Sequence, residues 1–267
     1  MCPHRKIELT VLSETARRKR PIRKWFMPLP SKAFQRWLHG IAPNTSTADV
    51  CRFSGVKRTT LAQQLVRGKV AESSLVSISR AFDMNPFDAL AQFEAYAALR
   101  GSPVPPTDAE LVSQISTMDL LRAVVQRSEP RDAVQPLVLA DTPHLSSVRN
   151  WVDAIDDGEL RHRVSEATGI APQNYSAHLT ANRLPPELAL ATSRAAGVGP
   201  AGGLVASGLV TEAEAGWPEG ARREALERMT EGELALLAGE RLLALGKSLR
   251  RHEHELDHAT RIWENLG

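Results

Sequence analysis

Apolar residues along this chain recur at three- and four-residue intervals and seldom alternate, which is the signature of helices packed through one face. Ser31 stands as an N-cap before a helix over residues 32–39 that turns Phe34, Trp37 and Leu38 inward. A second helix over 47–53 offers Val50 and the small Cys51 to a core. A third over 58–66 offers Leu61 and Leu65 and stops at Gly68; a fourth over 73–82 offers Leu75, Ile78 and Phe82. Asn85 followed by Pro86 reads as an N-cap with proline at the first helical position, opening a fifth helix through Phe87, Leu90 and Phe93. Gly55 falls between the second and third helices, where a tight turn requires left-handed backbone.

The same pattern then returns. Residues 34–90 align without a gap on residues 148–204 at an offset of 114, with Trp37/Trp151, Ile41/Ile155, Val50/Val164, Gly55/Gly169, Leu65/Leu179, Ser79/Ser193, Arg80/Arg194, Ala81/Ala195, Pro86/Pro200 and Leu90/Leu204 identical. Both tryptophans and the turn glycine are among the matches, so an internal duplication is the simplest account. In the second copy Tyr175 and Leu179 anchor the third helix, and Gly202 and Gly203 are expected to weaken the fifth.

Around the copies the patterning divides the chain into five parts: an arm at 1–30, a first unit at 31–100, a linker at 101–146, a second unit at 147–210 and a tail at 211–267. Prolines punctuate the linker, and Thr107 with Glu110 forms a capping box for a short helix inside it; another helix is expected after Thr117. In the tail, Ala238, Leu242, Leu245, Leu249, His252, Leu256, Ala259, Trp263 and Leu266 follow a 4-3 spacing, a heptad seam. Such a seam serves a homodimer or a fold-back onto the chain's own helices equally well. The fold class is therefore all-α, with two tandem units of about five helices and a heptad-patterned C-terminal helix.

Composition narrows the function. Aromatic residues make up only 5% of the chain, which counts against a dedicated single-strand binder that stacks bases. The two cysteines, Cys2 and Cys51, have no metal spacing and form no disulfide framework, so a cytoplasmic setting is expected. No apolar run approaches the ~18 residues of a membrane span. The N-terminus shows no signal-peptide pattern.

Net charge is +2 overall but unevenly spread: residues 1–100 carry 17 Lys/Arg against 7 Asp/Glu, and residues 101–267 carry 16 against 24. The basic half points to nucleic acid. Arg17, Arg18, Lys19, Arg20, Arg23 and Lys24 cluster in the arm, suited to lying along phosphates or in a minor groove.

The stretch from Thr47 to Lys69 resembles the Cro/C1-type helix-turn-helix family. The likeness rests on Cys51 four residues before Gly55, Val56 after it, Leu61 in the third helix and the closing Gly68. With the Thr-x-x-Gln-Gln-Leu run at 60–65, the serine-rich fourth helix and the Asn-Pro start of the fifth, it looks most like immunity repressors of actinobacterial temperate phages. It covers about 55 residues per unit. The resemblance implies a double-stranded DNA operator as partner and a repressor that maintains lysogeny, with no cofactor, metal or small-molecule ligand and no enzymatic activity.

A recognition helix of this kind places its N-terminal residues against base edges in the major groove. In the first unit those are Arg58, Thr59, Thr60, Gln63 and Gln64, with Lys57, Arg67 and Lys69 placed for phosphates. The second unit offers Gln173, Asn174, Ser176, Ala177 and His178 in the same places, and Asn182 and Arg183 for phosphates. Residues 148–210 carry 5 Lys/Arg and 6 Asp/Glu, so the second unit is expected to bind DNA more weakly alone. One enzymatic string occurs, His254-Glu255-Leu256-Asp257-His258, matching the zinc-protease pattern H-E-x-x-H. It lies within the heptad seam with no third histidine after it, and a charged helix face is the expected reading.

Overall fold

A computed structural model describes residues 29–101, 104–128 and 137–266, with side chains through Asp257. The described chain is mostly helical, with almost no strand. The arm cations Arg17, Arg18, Lys19, Arg20, Arg23 and Lys24 lie outside the described residues.

The first unit begins two residues earlier than its apolar pattern indicates. Leu29–Pro30 (β1) pairs antiparallel with Lys69–Val70 (β2), so Leu29 sits opposite Val70, and both are fully buried. Ser31 is accordingly not an N-cap: Pro30 takes that position, and the Ser31 N–H donates to Gly68 O at 3.1 Å. Five helices follow: α1 (Ser31–Ile41), α2 (Thr47–Ser54), α3 (Arg58–Val66), α4 (Glu72–Ala81) and α5 (Pro86–Ala91). A 3-10 turn at Glu94–Leu99 closes the unit over Tyr96. Phe34, Val50, Leu61, Leu75, Ile78 and Leu90 fill its core, each side chain contributing ~1.5–3 kcal/mol through burial.

The second copy repeats this construction in register: α8 (Ser147–Ile155), α9 (Leu160–Thr168), α10 (Pro172–Thr180), α11 (Pro186–Ala196) and α12 (Gly202–Ala206). Both α3 and α10 are nine residues long and start 114 residues apart. Trp151 and Tyr175 are fully buried where the first unit has Trp37 and Leu61.

Within the stretch expected to be a linker with short helices, residues 104–128 and 137–146 hold two helices that pack on other parts of the chain. The capping box forms as expected, with Thr107 accepting from the Glu110 N–H and Glu110 accepting from the Thr107 N–H, opening α6 (Asp108–Ser113). Glu110 is almost completely buried, and its second carboxylate oxygen accepts from the Trp151 indole N–H at 3.2 Å. The glycines of α12 make room for this pair. A Cβ on Gly202 would collide with Glu110 Oε1, and one on Gly203 would lie 2.7 Å from the Trp151 ring. These glycines shorten α12 to five residues but permit its close approach to α8.

α7 (Thr117–Ser128), α13 (Ala221–Arg228) and α14 (Glu231–Leu266) build a smaller core from Ile115, Leu120, Ala123, Leu226, Leu234 and Ala238. Buried Asp119 ties the start of α7 to the Ala140 N–H at 3.0 Å, and Arg127 clamps the carbonyls of Leu226 and Met229. The opening turns of α14 therefore fold back onto their own chain. Further along the seam Leu242, Leu249 and Leu256 are about half exposed. No helix among the described residues is long and apolar enough to cross a membrane.

Candidate nucleic-acid interface

The turn between α2 and α3 is built the same way as the turn between α9 and α10. Gly55 has φ +70° and ψ +3°; Gly169 has φ +72° and ψ +7°. The hydroxyl just before each glycine donates back one turn, Ser54 to Val50 O at 2.7 Å and Thr168 to Val164 O at 2.6 Å. Each hydroxyl also accepts from the N–H two residues on, Val56 and Ile170. Side chain and left-handed glycine thus set one exit angle twice.

Each following helix buries one side and exposes the other. On α3, Leu61 is fully buried, while Arg58, Thr59, Thr60 and Gln63 are exposed. Lys57, Arg67 and Lys69 are exposed at its two ends. On α10, Tyr175 and Leu179 are buried; Gln173, Asn174, Ser176 and Ala177 are exposed and His178 is half-buried. The Tyr175 hydroxyl shares a hydrogen bond of 2.9 Å with Thr192 Oγ1 on α11, which fixes α10 from below.

Neither α3 nor α10 has a side-chain cap at its N-terminus, whereas α2 is capped by Ser46. At α3 the first N–H groups are left without a side-chain acceptor, and such helix starts favour anions and hydrogen-bond acceptors; α10 opens on Pro172, which has no N–H, so fewer donors are free there.

Two residues expected at the interface also make structural contacts. Gln64 is half-buried, and its Oε1 accepts from the Ala71 N–H at 3.3 Å and the Ser74 hydroxyl at 3.0 Å, bracing α3 against the start of α4. Asn182 takes a left-handed conformation at φ +48°, accepts from the Val148 N–H at 2.9 Å and donates to His144 O at 3.1 Å. Both ends of its amide are engaged, which makes it a joint between α10 and α8. Arg183 is exposed.

Acidic residues occupy much of the second unit's own positive charge. Arg161 pairs with Asp153 at 2.7 Å and Asp156 at 3.1 Å, and Arg163 pairs with Asp157 at 2.9 Å. In the first unit Arg58, Lys57, Arg67 and Lys69 make no ion pair among the described residues. Cys51 is buried behind this face, and burial pushes its thiol up, with nearby Arg58 opposing.

The first unit meets the segment that follows the second at a polar junction that sequence patterning did not reveal. Arg80 at the end of α4 makes bidentate hydrogen bonds to Glu214, and Asn85 Nδ2 donates to Glu214 O at 3.0 Å. Tyr96 donates to Glu72 Oε1 at 2.9 Å, with Glu187 of α11 nearby; burial raises both the Tyr96 hydroxyl and the Glu187 carboxyl above their ordinary values. A Ser-Arg-Ala triplet shared by the copies was visible in the chain, but its partner 134 residues away was not.

The H-E-x-x-H string lies on α14, with His254 exposed; the His258 side chain lies outside the described residues. Among the described residues no group of three or more His, Cys, Asp or Glu could hold a metal ion. No family model, curated protein or solved structure matches the chain.

Proposed function

We propose that this chain is a sequence-specific double-stranded DNA-binding transcriptional repressor built from two tandem Cro/C1-type helix-turn-helix units. The observation that carries the reading is the pair α3 and α10. They have equal length, the same left-handed turn before them, a uncapped N-terminus and an exposed polar face. Arg58 suits guanine, and Gln63, Gln173 and Asn174 suit adenine, each good bidentate contact discriminating by ~1–3 kcal/mol. Because the two faces differ in sequence, one chain reads an asymmetric bipartite site, where identical subunits would read a palindrome. Occupying that site occludes a promoter. The likeness to temperate-phage immunity repressors makes maintenance of lysogeny in a host cytoplasm the biological setting.

Selection of bound sequences from random duplex DNA tests this, with Arg58→Ala and Asn174→Ala in parallel. Each variant is expected to relax preference at a different part of one asymmetric site. Absence of any sequence preference in the wild-type protein overturns the reading.

A second arrangement, a dimer in which only the first unit reads bases, draws on the half-exposed Leu249 and Leu256 of the tail seam. Light scattering of the full chain decides between them: a concentration-independent monomer removes the dimer.

A further inference from the structure

We infer that α14 adds phosphate-binding cations to the few free ones of the second unit, through a basic groove beside the end of α10. This rests on the DNA-binding reading above and deepens it for the second unit.

The groove has a volume of about 380 Å³ and runs between α14 and the ends of α8 and α10. Arg149 in the first turn of α8 and Thr180, the last residue of α10, form one wall. Lys247, Ser248 and Arg251, on one face of α14, form the other. Glu240 also lines it, but two turns before Lys247, roughly 10 Å back along the axis. Three cations and the Ser248 hydroxyl thus face a common space, a donor set suited to a phosphodiester, while the Thr180 hydroxyl donates to Ser176 O at 3.0 Å.

Charge pairing around the groove supports this use. Lys247 and Arg251 are exposed and make no ion pair among the described residues. Arg149 pairs only loosely with Asp153 at 3.5 Å, since Arg161 already holds that carboxylate at 2.7 Å. The cations of α9 are tied up in ion pairs, so besides the exposed Arg183 the free positive charge next to α10 comes from α14. The position is right for a backbone contact: the base-reading residues lie in the first two turns of α10, and the groove meets its last residue. In the first unit the equivalent of Thr180 is Val66, which is 89% exposed with no such wall. There Lys57, Arg67 and Lys69 already supply the charge.

The test is the salt dependence of full-length protein binding to its selected duplex between 50 and 200 mM monovalent salt, with a footprint at each end. Each phosphate contact contributes about 0.9 to the slope of log K against log salt, so Lys247→Ala/Arg251→Ala should lower the slope by about 1.8. Affinity lost across that range should shrink about tenfold, and protection should weaken only in the half covered by the second unit. Arg250→Ala removes one charge from outside the groove and should change the slope by much less per charge. A double variant with unchanged slope and footprint overturns the inference and leaves the DNA reading intact. An equal effect per charge from Arg250→Ala also overturns it. Failure of the wild-type protein to bind duplex DNA overturns the underlying reading itself.

Discussion

Arg80 holds Glu214 through two parallel hydrogen bonds, Nε to Oε1 at 2.7 Å and Nη2 to Oε2 at 2.8 Å, tying the first unit to the segment just after the second. The pair holds the Glu214 carboxyl below its ordinary range, chiefly through the Arg80 hydrogen bond. Because Arg80 is partly exposed, a double-mutant cycle with Arg80→Ala and Glu214→Ala should give a coupling of only about 0.5–1 kcal/mol in urea unfolding. The larger effect is expected on affinity for a bipartite site, which depends on the relative placement of the units, while binding to either half alone should change little. Equal losses on whole and half sites would show that the junction does not orient the units.

Gln63 and Gln64 are neighbours with different employment. Gln63→Ala should leave stability within about 0.5 kcal/mol of wild type and reduce DNA selectivity. Gln64→Ala removes the acceptor of the Ala71 N–H and the Ser74 hydroxyl, and should cost roughly 0.5–1.5 kcal/mol of unfolding free energy. Denaturation and binding measured on both variants check the assignment; a Gln64→Ala protein of unchanged stability would return that residue to the interface.

Gly203→Ala puts a methyl group 2.7 Å from Trp151 Cη2 and 2.8 Å from Ala189 Cβ. Neither neighbour is the free end of a flexible chain, so the variant should lose about 1–3 kcal/mol. Gly55→Ala meets no neighbour within 4 Å but needs φ +70°, and should lose about 1 kcal/mol through backbone strain alone. Thermal unfolding distinguishes these causes: Gly55→Asn should recover part of the loss, and Gly203→Asn should recover none.

His144 is packed under the second unit, and burial pushes its imidazole down to about 4 from 6.5. Between those values the unfolded chain binds a proton that the folded chain does not, so stability rises with pH across this window. The protein should be fully stable with respect to this residue above pH ~6.5 and lose up to ~3 kcal/mol on acidification toward pH 4. Urea unfolding at pH 7 and pH 5 measures the loss, and His144→Gln should flatten it. An equally steep decline in the variant would assign the acid sensitivity to other groups.

Local signals read well from the chain because they involve residues close in sequence. The pattern over residues 58–66 predicts a helix with the ends that α3 has, the Thr107–Glu110 capping box forms, and Asn85 caps α5 by accepting from the Phe87 N–H. Local signals do not show what distant partners add. Ser31 lost its capping role to the β1–β2 pairing, and Asn182 became a joint through His144 and Val148. Residues 101–146 looked like a linker because of their prolines, yet Glu110 was drawn into the core by the Trp151 indole, a partner 41 residues away.

The duplication was determined by sequence alone: a helix and its turn are set by neighbouring side chains and by which residues accept a left-handed backbone. Hence the same glycine at positions 55 and 169 dictates the same turn twice. How the copies are joined, and how α14 comes to lie beside α10, was decided only by tertiary structure. Burial and charge pairing act between residues a hundred or more positions apart, and no local pattern records whether Arg80 will find Glu214 or Lys247 will stand opposite Arg149.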